Sequence, residues 1–183
     1  MNQSKTNSSW DSLAGDLFRR AFSFGLSAFQ LTHVATALAV HRNENDVDRA
    51  VYNGAHSPAI WFLAHFAFEL FLKSAIAAKG RNPAEIKAIG HDLEKALEGA
   101  EALGLGINES TRLSIKIANR AHKRDGENAF FFRYGGSAKA DVETVEALVA
   151  SLKDLLEQTR VLVNEPQISY ERFLVPFENA EEQ

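Results

Sequence analysis

The chain reads as all-α, an up-and-down bundle of four to five helices, on three observations. Apolar residues recur every three or four positions over long stretches. Alternating strand-like patterns are nearly absent. The four prolines, Pro58, Pro83, Pro166 and Pro176, interrupt none of the long periodic segments.

The first helix is expected over about Trp10–Val40, with Leu13, Leu17, Phe18, Phe22, Leu26, Phe29 and Val34 as its apolar stripe. His41–Ser57 is a polar connection, with a short helical piece around Val47–Val51. The second helix starts with Ser57 as cap and Pro58 at its first position, and ends at Gly80. A third follows His91, with Asp92 and Glu94 at its positive end, and stops at Gly104 and Gly106. A fourth runs from Asn108 to about Lys123 with Leu113, Ile117 and Ala121 on one face. Asp141 caps a fifth, which reaches Val163. Residues 1–9 are expected to be disordered, 10–164 to form the helical domain, and the tail 165–183 to dock in part through Tyr170, Phe173, Leu174 and Phe177.

Composition narrows the chemistry. The 183 residues are 45% apolar and 24% charged, with a net charge of −4, an ordinary globular balance for one domain. Nucleic-acid contact would need a local basic patch. With no cysteine, disulfides, thiolate zinc sites and thiol catalysis are excluded. The polar N-terminus lacks the apolar core of an export signal, and a cytoplasmic location is expected. The most apolar stretch, Ala59–Ala78, carries His65, Glu69 and Lys73; charges at mid-membrane cost roughly 2.5–3.5 kcal/mol each, so it reads as a central helix rather than a membrane span.

Within that second helix His65, Glu69 and Lys73 stand four apart, on one line. Phe62, Leu63, Phe66, Phe68, Leu70, Phe71 and Leu72 cover most of the remaining circumference, so the helix should be buried and Glu69 must find partners. Lys73, His91, Arg133 and Tyr134 are the candidates, either stitching helices together or lining a polar groove.

Three segments together resemble the HEPN family of helical domains. Phe62 to Lys73 is similar to the family's second helix, where a glutamate and a lysine recur four apart. Gly90 to Leu93 resembles its histidine–aspartate–leucine helix start, and Arg133-Tyr134 its arginine–tyrosine step before the last helix. The resemblance implies a helical bundle, commonly a homodimer. Members include RNA-cleaving toxins paired with nucleotidyltransferase-like antitoxins, and non-catalytic modules that bind nucleotides or RNA. Catalytic members carry an arginine and a late histidine with four to six residues between them. Here Arg112 precedes His122 by ten residues and Arg120 precedes it by two. Arg49 and His56 have the spacing but lie between the first and second helices, the wrong place for the family. The departure argues against ribonuclease activity, leaving His122, His56 and Arg49 as residual catalytic candidates. The favoured expectation is a non-catalytic module binding nucleotide, RNA or a partner protein; a metal-independent ribonuclease and a purely structural interaction protein are the rivals.

The fourth helix offers phosphate-binding candidates. Arg112, Lys116, Arg120 and Arg124 recur every four residues, with His122 and Lys123 beside them. The competing reading pairs them with Glu94, Glu98, Glu101 or the fifth helix. No metal or cofactor is expected: His33 and His41 stand eight apart without an acid to complete a set, and no glycine-rich phosphate loop occurs.

Overall fold

The computed structural model describes residues 13–122 and 144–173. Among them seven α-helices form, two more than the upper expectation, and no strand. They are α1 (Leu13–His41), α2 (Val47–Asn53), α3 (Ser57–Ala78), α4 (Pro83–Ala88), α5 (Leu93–Ala102), α6 (Glu109–His122) and α7 (Val145–Val163), followed by a 3-10 turn at Tyr170–Phe173. The central helix is α3, which contacts each of the other six. Ile60, Trp61, Phe68, Phe71 and Leu72 are fully buried along it. Both α1 and α3 are long and apolar enough to cross a membrane, but 72% of the apolar window of α3 is buried inside the fold, the pattern of a core helix.

The face that α1 buries differs from the expected stripe. Its buried residues are mostly small: Ala14, Ala21, Gly25, Ala28, Ala35 and Ala39, with Phe18 and Phe29 between them. Leu13 is exposed, and Leu17, Phe22, Leu26 and Val34 are only half-buried. Small side chains let α1 lie close against the aromatic-rich α3, and the bulky residues flank the seam instead of filling it. Ser74 Oγ donates to the Ala14 carbonyl at 2.7 Å across this contact.

Helix ends follow local chemistry, with corrections. Ser57 is not the cap of α3: it is the first helical residue, its hydroxyl donates back to the Tyr52 carbonyl, and His56 holds the cap position without a side-chain cap bond. The short helix α4 is additional to the expected elements; Asn82 accepts from Ala84 N and Glu85 N while Glu85 accepts from Asn82 N, a full capping box. Asp92 caps α5 by accepting from Glu94 N and Lys95 N. Thr144 caps α7; Asp141, expected in that role, lies outside the described residues. On α6, Leu113 is 54% exposed rather than part of the packed face, which is formed by Thr111, Ser114, Ile115, Ile117 and Ala118. Polar contacts bind α6 to α7: Ser114 and Ser151 hydroxyls meet at 2.6 Å, and Asp154 accepts from Asn108 and Thr111.

Of the C-terminal tail, Tyr170 is described and docked. Its ring stacks on Phe22 and Phe29, with centroids 5.4 and 5.5 Å away. Its hydroxyl sits over Gly25, where an added Cβ would collide with it. Burial raises the Tyr170 phenol far above its ordinary range. Arg19 clasps the buried Glu165 at 3.2 Å, and Lys153 pairs with Glu171. Residues 1–9, Leu174 and Phe177 lie outside the described residues.

Candidate functional site

The line His65, Glu69, Lys73 on α3 closes into a network. Glu69 Oε1 accepts from Lys73 Nζ at 2.7 Å, the favourable order for a pair four apart. Glu69 Oε2 meets His91 Nδ1 at 3.0 Å and lies 3.8 Å from His65 Nε2. Lys73 Nζ also donates to the Gly90 carbonyl at 2.5 Å. Gly90 adopts a positive φ of 66°, a conformation that glycine takes without strain and that helps set the turn before α5. The glutamate is 2% exposed and the lysine 7%, so the ion pair is buried within the fold. Only His91, half-exposed, reaches solvent from the network. Phe66 stands beside His91, its ring 6.1 Å away, in a half-buried group with Phe24 and Phe62. Arg133 and Tyr134 lie outside the described residues.

The basic stripe of α6 is partly spent. Arg112 bonds Glu101 on α5, with Nε at 3.0 Å, and Glu109 on its own helix at 2.6 Å. Glu101, then Glu109, raise its guanidinium above the ordinary value. This is the pairing that competed with the phosphate reading. Lys116 is half-buried and Arg120 exposed; the side chain of His122, and Lys123 and Arg124 altogether, lie outside what is described.

A second site is only half visible in the sequence. The end of α1, the turn after it, one side of α2 and the turn before α3 line an open cleft of about 620 Å³. Arg49 and His56 both line it, joined by Arg42. Asp46 caps α2 by accepting from Arg49 N at 3.0 Å. Gly54 makes the bend into α3, because a Cβ there would collide with the Ala50 carbonyl oxygen. That bend folds Arg49 and His56 back onto one cavity. Arg42 joins them only through the packing of α1 on α2, which residue spacing does not reveal. Among the described residues no group of three or more potential ligands could hold a metal ion.

No family model, curated protein or solved structure matches this chain.

Proposed function

We propose that the chain is a non-catalytic, HEPN-like module of the cytoplasm that works as a homodimer by binding nucleotide or RNA. The observation that carries this reading is the Glu69 network. Of the residues behind the resemblance, Glu69 bonds both Lys73 and His91. The Glu69 and Lys73 charges neutralise each other, and Lys73 ties α3 to the turn before α5, which suits a scaffold that holds rather than a centre that reacts. A nucleotidyltransferase-like protein is the partner the resemblance implies. Sedimentation velocity and anisotropy with labelled RNA and nucleotide at low salt test the reading: a dimer that binds is expected, and a monomer that binds neither refutes it.

The second reading is a metal-independent ribonuclease, favoured by the shared cleft of Arg49 and His56. His56 would move the proton and Arg49 would hold phosphate charge. Incubating transfer and messenger RNA in chelator separates the two. Cleavage lost in His56→Ala or His122→Ala supports the enzyme; RNA equally intact with wild type and both variants removes it.

A further inference from the structure

We propose that the cleft between the end of α1, α2 and the turn before α3 binds a compact phosphate-bearing small molecule, of the class of a free nucleoside di- or triphosphate. Its volume of about 620 Å³ falls in the range of small-molecule sites, roughly 300–1,000 Å³. Three parts of the chain each bring one cationic or titratable group: Arg42 from just beyond α1, Arg49 from α2 and His56 from the cap of α3. Arg19, Arg81, Arg112 and Arg160 are each held by a carboxylate. Arg42 and Arg49 are exposed and have no such partner among the described residues. Two unpaired guanidinium forks lining one cavity match the bidentate geometry of phosphate.

The rest of the lining suits a nucleoside. Asn45 and Asn53 bring amides able both to donate to and accept from a sugar or base edge. Leu38 and Ala39 give an apolar wall for a ring face. Glu44 and Asp46 also line the cleft. They offset the two guanidinium charges across the cleft as a whole, so the lining is no continuous positive track for a phosphate backbone, and the two forks favour a compact ligand over a strand.

The inference deepens the binding reading by giving it a site and a ligand class, and it rests on that reading. Calorimetric titration of the full chain at low salt with ADP and with pyrophosphate tests it, using wild type, Arg42→Ala, Arg49→Ala and the control Arg20→Ala, an exposed arginine away from the cleft. Labelled RNA is titrated in parallel. ADP binding that falls roughly tenfold or more in each cleft variant and not in the control is expected, the size of one charge-assisted hydrogen bond removed. ADP binding unchanged by the cleft substitutions, or no ADP binding while RNA still binds, overturns the cleft assignment and leaves the module standing. No binding of any probe sinks both.

Discussion

Glu69 is the residue whose environment makes the strongest demand. Removing it leaves the Lys73 ammonium buried against the Gly90 carbonyl, with no counter-charge from α3. Glu69→Ala should therefore destabilise by about 3–5 kcal/mol in denaturant titration, against well under about 1 kcal/mol for an exposed pair. Phenylalanines on the same helix should differ by position. Phe68 and Phe71 are fully buried, and truncation to alanine should cost about 3–5 kcal/mol; Phe66, half-buried beside His91, should cost less. Tyr170 offers a cleaner contrast. Its hydroxyl is buried without a hydrogen-bond partner among the described residues. Tyr170→Phe should be neutral or stabilising, since it removes an unsatisfied polar group, whereas Tyr170→Ala should lose about 3–5 kcal/mol. Equal losses in the two variants would mean that the hydroxyl is satisfied. The i, i+4 line of His65, Glu69 and Lys73 was legible because helical geometry alone aligns it; Arg42 was not, because only tertiary packing carries it to Arg49 and His56.

At the scale of elements, α1 and the C-terminal strap, residues 164–173 after α7, depend on each other through Gly25. Gly25→Ala should displace the Tyr170 ring and raise amide exchange over Val163–Tyr170, with little change in the helicity of α1 itself. The strap is also bounded by pH. Lys153 beside Glu171 holds that carboxyl below its usual range, so the contribution is complete above the ordinary carboxylate value and fades as pH falls through the lowered one. The Tyr170 phenol is raised, so its contribution is complete below about 10 and is lost as pH climbs past its raised value. Tyrosinate absorbance should accordingly show a late step, coincident with strap release, that Tyr170→Phe abolishes. Helix ends marked by proline, glycine or a short polar cap were largely readable. The start of α3 lies one residue earlier than expected, since serine beside proline looks like a cap even when its hydroxyl turns back to Tyr52. The six-residue α4 has too few positions to show a period; its sole signal is Asn82, Pro83 and Glu85 in capping-box order. The seam of α1 escapes a periodicity argument, which favours bulky residues at the contact, whereas alanine and glycine form it.

Across the molecule, one apolar rod, α3, gathers six helices, and its few charges are satisfied inside the fold. The all-helical class followed from periodicity, yet the order of helices around α3 and the cleft at its start did not, because both arise from contacts distant in sequence. Glu69 and Lys73 are spent on each other within the fold. A double-mutant cycle with Glu69→Gln and Lys73→Met, followed by equilibrium denaturation, measures that directly. A favourable coupling of about 1–3 kcal/mol is expected; effects that add to within about 0.5 kcal/mol would mean that the two side chains do not depend on each other.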